Sequence, residues 1–249
     1  MVLGNRLFGM LRSLAIYHGI PLRQKKLRAF YREFLSSGDL TFDLGAHVGN
    51  RTRALLGIGC QVVAIEPQPD FARLLRAMFT FSSQVKIVET AVTNSVGRSI
   101  LSVSDRTPTM TTLTSEWREA RTNEKTFSNI RWNRPVNVNT TTLDELIQQF
   151  GVPEFVKIDV EGAEPMVLAG LSHPISVMSF EYLPQELNRV QKCIEHLSTL
   201  GNYRYNWSPG ETYRLAGDSW MNGHELLSAL HRDDAQTRSG DVYARHYQG

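Results

Sequence analysis

The chain has 249 residues, enough for one large α/β domain with a well-buried core. Its formal net charge of +2 is close to neutral, which excludes the global electrostatic footprint of a nucleic-acid-binding protein. Two cysteines, Cys60 and Cys193, lie far apart without metal-ligand spacing, as expected of buried thiols in a reducing, cytoplasmic setting.

The first 38 residues carry the one local charge bias. Arg6, Arg12, Arg23, Lys25, Lys26, Arg28 and Arg32 all precede the first acidic residue, Glu33, and Leu3, Leu7, Met10, Leu11 and Leu14 recur among them at helical spacing. Two helices are expected over 4–36, broken at Gly19-Ile20-Pro21. Two readings stay open: a helical cap on the domain with solvated basic faces, or an amphipathic segment making peripheral contact with an anionic membrane. Arg12 interrupts the apolar stretch, which is too short to span a bilayer or to form a clean secretory signal.

From residue 39 strands alternate with helices. A strand over 40–43 leads to a helix from Asn50, a strand over 61–66 to a helix over 70–81, and a strand over 85–89 to Thr90-Ala91-Val92. The alternation stalls over 104–135, a polar insertion carrying Trp117 and Trp132. Insertions of this length in compact domains are commonly functional, and the two tryptophans point to a lid or substrate-facing flap. Val136-Asn137-Val138 resumes the pattern, and Thr142 with Glu145 reads as a capping box. Strands over 155–159 and 176–181, a helix over 184–200, a strand over 203–205, a helix over 223–230 and a strand over 241–245 complete the chain. The fold class is therefore α/β, a doubly wound, Rossmann-like sheet of seven strands over 39–249, with the final pair as a hairpin-like end.

The segment Phe42-Asp43-Leu44-Gly45-Ala46-His47-Val48-Gly49-Asn50 is a strand running into two glycines and a helix, and Glu66 ends the next strand about 20 residues on, where a doubly wound sheet delivers a carboxylate to a ribose diol. The spacing is Asp43-x-Gly45-x-x-x-Gly49 rather than the tighter G-x-G-x-x-G of dinucleotide sites, and Asp43 stands where a pyrophosphate would be repelled. A cationic ligand such as S-adenosylmethionine suits it better. A capping role for Asp43 is the plainer alternative, and a nicotinamide-dependent oxidoreductase using Glu66 is the rival enzyme class. Asp159, Glu161 and Glu181 are further acids at strand ends, expected to converge with Asp43 and Glu66 in one crevice. Such convergence is costly unless a cation or shared proton relieves it, so a divalent metal stays an option beside the sulfonium cofactor. Lys157 shares a strand face with Asp159 and is placed to keep it ionised.

The run Val156-Lys157-Ile158-Asp159-Val160-Glu161-Gly162-Ala163-Glu164 resembles the K-I-D-V-E-G-A-E signature of the FkbM-type methyltransferases. Thr142-Leu143-Asp144-Glu145-Leu146 is similar to that family's T-L-D-E-L, and Ala91-Val92 with Gly97, and Phe180-Glu181, extend the likeness over roughly residues 40–182. The resemblance implies an S-adenosylmethionine-dependent enzyme methylating a hydroxyl of a glycan or small natural-product acceptor. It implies that Asp43, Gly45 and Gly49, with Ala46 and Asn50 between and beside them, form the methionine-side loop. Glu66, followed by Pro67, takes the ribose, Thr90-Ala91 flank the adenine, and Asp159 addresses the reacting centre with Glu161 or Glu181 as orienter or alternative. His47 sits inside the loop, where nothing in the spacing makes it a catalyst, and reads as an incidental loop histidine. No site residue is expected to be a metal ligand. An inactive cofactor-binding partner is the remaining alternative. Trp117, Trp132, Trp207 and Trp220 offer stacking faces for a sugar ring, with simple burial as the ordinary explanation. The acceptor and the oligomeric state are not written in the sequence.

Overall fold

The computed structural model describes residues 8–15, 22–105, 107, 111–114, 118–119 and 132–247. The expected helix break at 19–21 and Trp117 lie outside them. Residues 8–15 are helical, and α1 (Arg23–Tyr31) follows. Leu27, Phe30 and Tyr31 of α1 pack with Leu55, Val62, Phe155 and Tyr243, so this helix shares the sheet's own core.

The alternating pattern then unfolds as β1 (Leu40–Leu44), α2 (Asn50–Leu56), β2 (Gln61–Ile65), α3 (Pro69–Met78) and β3 (Val85–Val88). Helix α3 opens on a proline, whose fixed φ and missing N–H suit a first turn. It stops at Met78 rather than running to 81. Thr80 Oγ1 donates back to the Arg76 carbonyl at 2.6 Å, and Phe81 stands fully exposed with no apolar face to join.

Next come β4 (Ala91–Val92), β5 (Gly97–Val103) and β6 (Arg134–Thr141), which form a second, three-stranded sheet in the order β4-β6-β5. Strand β5 was not apparent in the sequence, where only Leu101 and Val103 supply buried apolar side chains and Ile100 points outward. The 104–135 insertion is thus the connection of an antiparallel pair, with Gly97 opposite Thr140 and Val103 opposite Arg134. Asp105 pins its base by accepting from Asn133 Nδ2 (2.8 Å) and Arg134 Nε (2.9 Å).

The chain returns to the main sheet through α4 (Leu143–Phe150), β7 (Phe155–Ile158), α5 (Glu164–Leu168) and β8 (Val177–Tyr182). It ends with α6 (Leu187–Leu200), β9 (Tyr203–Pro209), α7 (Gly223–Leu230) and β10 (Gly240–His246). Thr142 caps α4, its side chain accepting from Glu145 N at 3.1 Å, which is one half of the expected capping box. A reciprocal capping box joins Asn222 and Glu225 at α7. The seven-stranded sheet has the order β3-β2-β1-β7-β8-β10-β9 and is parallel except for β10, which lies antiparallel between β8 and β9. Separate apolar clusters cover its two faces, one built around Phe42, Ile158 and Phe180, the other around Val62, Phe155 and Tyr243. This is the doubly wound, Rossmann-like architecture. The final strands do end the sheet as a pair, but chain order and spatial order differ because β10 inserts inside β9. That insertion carries residues 240 and 241 back toward the centre of the sheet.

Candidate active site

Strand order reverses between β1 and β7, and in open α/β sheets such a switch point leaves a crevice at the carboxyl ends of the strands. A cavity of about 340 Å³ occupies it. Gly45, Ala46, Asn50, Glu66, Pro67, Thr90, Ala91, Asp159, Glu161 and Glu181 all line this cavity; Asp43 and Gly49 do not.

Asp43 is buried beneath the loop, where Oδ2 accepts from Thr52 Oγ1 at 2.6 Å. Burial pushes its carboxyl above the ordinary range, against the hydrogen bond from Thr52. The side chain ties β1 to α2 through Thr52 and does not line the cavity, and it makes no cap hydrogen bond at the start of α2. Gly49, with φ 74°, precedes α2, and a Cβ there would meet Leu75 Cδ2 at 2.8 Å and Phe79 Cε2 at 2.9 Å. It is needed for the approach of α3. At Gly45, with φ 77°, a Cβ would fall on the carbonyl oxygen of Asp159, so this glycine lets the β1 loop close against the end of β7.

Glu66 is buried at the end of β2. Its Oε2 accepts from His47 N and its Oε1 from Gln68 N, both at 2.8 Å. Each oxygen retains a second lone pair for a ligand hydroxyl. Burial raises its pKa to about 7, outweighing the two backbone donors. His47 (φ 49°) lies against Phe71, ring centroids 4.2 Å apart, and burial lowers its pKa to about 4, leaving the imidazole neutral at physiological pH.

Asp159 follows β7 and its side chain is 40% exposed, open to the cavity. Lys157, fully buried, places Nζ 3.3 Å from Asp159 Oδ2, 3.0 Å from Asp241 Oδ1 and 3.2 Å from the Ile158 carbonyl oxygen. Desolvation favours a protonated Asp159, but the charges of Lys157 and Arg51 together hold its pKa below the usual carboxylate value. The alternation of β7 thus produces the expected pair, and it adds Asp241, which the sequence reading missed.

Glu161 lies in the turn before α5, not in the helix, with φ 52°. Burial and the neighbouring Glu181 and Asp159 charges raise its pKa well above the ordinary value. Glu181 is raised in the same way by burial and by Asp159, and among the described residues its Oε2 has no hydrogen-bond partner. Glu164 does not reach the cavity. It is buried, accepts from Gly162 N at 3.3 Å and faces Arg189 at 3.8 Å.

Beyond the expected residues, Arg51, Thr111, Leu113, Gly210, Glu211, Ser239 and Asp241 also line the cavity. Thr112, beside Thr111 and Leu113, donates its Oγ1 to the Glu161 carbonyl at 2.7 Å. Trp132, Trp207 and Trp220 are not among the lining residues; Trp220 meets the Phe34 ring edge-on at 6.2 Å. Among the described residues, no group of three or more His, Cys, Asp or Glu is arranged to hold a metal ion, and no helix is long and apolar enough to cross a membrane.

The family model for the methyltransferase FkbM domain matches residues 43–212. The chain belongs to this family. It is accordingly an S-adenosylmethionine-dependent methyltransferase, and the matched span contains every sequence-predicted site residue.

Several solved structures are similar to this FkbM methyltransferase. One is a TehB-like S-adenosylmethionine-dependent methyltransferase from Corynebacterium glutamicum, 10% identical with TM-score 0.48, covering 95% of this chain and 94% of that one. The precorrin-6y C5,15-methyltransferase of Geobacter metallireducens is 11% identical with TM-score 0.47, covering 90% and 86%. A putative O-methyltransferase from Klebsiella pneumoniae is 9% identical with TM-score 0.45, covering 96% and 90%. No curated protein matches the chain.

The residues present fit the cofactor. The cavity falls within the ordinary size range of small-molecule sites. Glu66 has acceptor capacity for a ribose diol, the loop from Gly45 to Asn50 gives a backbone wall beside it, and the acidic lining suits a ligand with a sulfonium and an ammonium group.

Proposed function

We propose that this FkbM methyltransferase transfers the methyl group to a hydroxyl oxygen of a sugar or natural-product acceptor, with Asp159 receiving the hydroxyl proton. The observation that carries this reading is the contrast among three acidic residues that line the cavity. Asp159 is held below the ordinary carboxylate range, while Glu161 and Glu181 are pushed well above it. Carboxyl groups separated in this way divide into base and donor roles. Asp159 accepts a proton from a bound hydroxyl; Glu161 and Glu181, whose burial favours the neutral form, are placed to donate hydrogen bonds to neighbouring oxygens of a polyhydroxylated acceptor.

When bound, S-adenosylmethionine supplies an electrophilic methyl on sulfur. Glu66, with Pro67 beside it, would hold the ribose, Ala46 and Asn50 would line the methionine side, and Thr90 and Ala91 would border the adenine. An aliphatic hydroxyl is about as weakly acidic as water, with a pKa of roughly 15.7. Asp159 therefore takes the proton as the new C–O bond forms, not before. A base of depressed pKa is modest in strength, so positioning supplies much of the acceleration, worth about 7–11 kcal/mol for well-aligned reactants. The 104–135 insertion belongs to this reading as a flap: Thr111 and Leu113 lie on the cavity wall, supporting a cover over the acceptor that excludes water.

The test uses methyl-labelled S-adenosylmethionine with a panel of free sugars, glycosides, aliphatic alcohols and matched amines, and locates the label in the product by NMR. Label on oxygen supports the reading. Label found only on nitrogen or carbon contradicts it.

A further inference from the structure

Among the described residues the cavity is lined by six acidic residues, Glu66, Asp159, Glu161, Glu181, Glu211 and Asp241, but by a single Lys or Arg, Arg51. Arg51 stands directly behind the glycine loop, at the second position of α2, and its side chain is 16% exposed. Its surroundings hold the guanidinium without saturating it. Nη2 lies 3.7 Å from Asp241 Oδ2, a long contact to a carboxylate whose other oxygen already takes Lys157 at 3.0 Å. The Tyr213 ring sits 5.6 Å below its flat face, and among the described residues Nη1 has no hydrogen-bond acceptor.

A largely desolvated guanidinium with donors left over is costly, and an anion placed on its fork removes that cost. S-adenosylmethionine has one anionic group, the α-carboxylate of its amino-acid end. We propose that Arg51 is the anchor for that carboxylate, reading it with its planar fork while Asp241 and Tyr213 hold the guanidinium in place. This rests on the cofactor reading and extends it to a residue absent from the family-like signature. It also fits one cation among the described residues of an otherwise acidic lining: the ammonium and sulfonium have carboxylates to face, and the carboxylate needs a counter-charge. A bidentate guanidinium–carboxylate pair is stronger and more directional than a point charge.

The experiment is calorimetry on the full chain with three ligands: S-adenosylmethionine, its decarboxylated form, which lacks only the carboxylate, and 5′-methylthioadenosine, which lacks the whole amino-acid end. Arg51→Met is expected to weaken S-adenosylmethionine by about thirtyfold or more and to leave the other two within about threefold of wild type, and Arg51→Lys to lose less because the charge stays. Melting without ligand checks that each variant is folded, and Arg51→Lys carries the comparison if Arg51→Met is not. Equal losses on all three ligands, or none on any, overturn the anchor. A wild-type protein that fails to bind S-adenosylmethionine at all overturns the cofactor reading instead.

Discussion

Replacing Lys157 with methionine removes the buried ammonium that lies 3.3 Å from Asp159 and 3.0 Å from Asp241. At 3.3 Å two unit charges interact by about 5 kcal/mol at an effective dielectric of 20 and about 1 kcal/mol at that of water. The Asp159 side chain is 40% exposed, so screening places the net effect between these limits, near 2–3 kcal/mol, or about 2 pH units. The acid limb of kcat/KM is therefore expected to move upward by about 2 units in Lys157→Met. Asp241→Asn acts in the opposite sense: it leaves the whole ammonium to Asp159, and the limb moves down. The other groups facing this pair are Arg51, Tyr31 and Asp43 from α2, α1 and β1, His47 in the loop, and Glu161, Glu164 and Glu181; all remain in both variants. For stability, a carboxylate of depressed folded pKa contributes above its unfolded value of about 3.9 and loses that contribution as pH falls through the folded value. Lys157→Met should thus be most destabilised at neutral pH, not in acid. The assay is the pH profile of kcat/KM from about pH 2.5 to 9, reaching below the ordinary carboxylate range where the wild-type limb falls, on protein shown by circular dichroism to be folded at each pH. Limbs that stay in place in both variants, or move in the same direction, refute the reasoning.

The remaining predictions concern the cofactor side. Glu66 has a folded pKa of about 7, above its unfolded value, so it lowers stability as pH rises from about 4.5 to about 7, by roughly 3 kcal/mol in all. Glu66→Gln is expected to flatten the fall in melting temperature over that window while weakening S-adenosylmethionine; an unchanged slope would show the burial cost to be absent. Gly45→Ala is expected to lose roughly 2 kcal/mol or more, from a Cβ driven onto the Asp159 carbonyl at φ 77°. In a chain of this size that lowers Tm by about 4–8 °C, and the displaced Asp159 lowers kcat as well. Wild-type melting and turnover in that variant would place the glycine elsewhere in the mechanism.

The parallel part of the sheet was legible because its strands are continuous apolar runs ending in chemistry-bearing residues. Lys157 and Asp159 were predictable as a pair from a period of two. Side-chain direction at the loop was less so: Asp43 and Gly49 belong to the motif, yet one points under it toward Thr52 and the other toward α3, since a motif fixes backbone path more tightly than the face a residue presents. Asp241 lies 84 positions from Lys157, and its role depends on β10 entering antiparallel inside β9, a pairing that no local pattern records. Arg51 is hidden in the sequence for a related reason. One arginine in a helix of mixed polarity reads as a solvated face until it is seen to be the one Lys or Arg lining the cavity among the described residues.

The most direct measurement compares turnover and cofactor affinity in Asp159→Asn, with an acceptor that the wild-type enzyme methylates. The substitution keeps shape and most hydrogen-bonding capacity while removing the base and its charge. The account predicts a fall in kcat of about 10²–10⁴-fold with S-adenosylmethionine affinity, read by calorimetry, within a few-fold of wild type. Near-normal kcat in Asp159→Asn contradicts it and transfers the proton acceptor's role to Glu161 or Glu181.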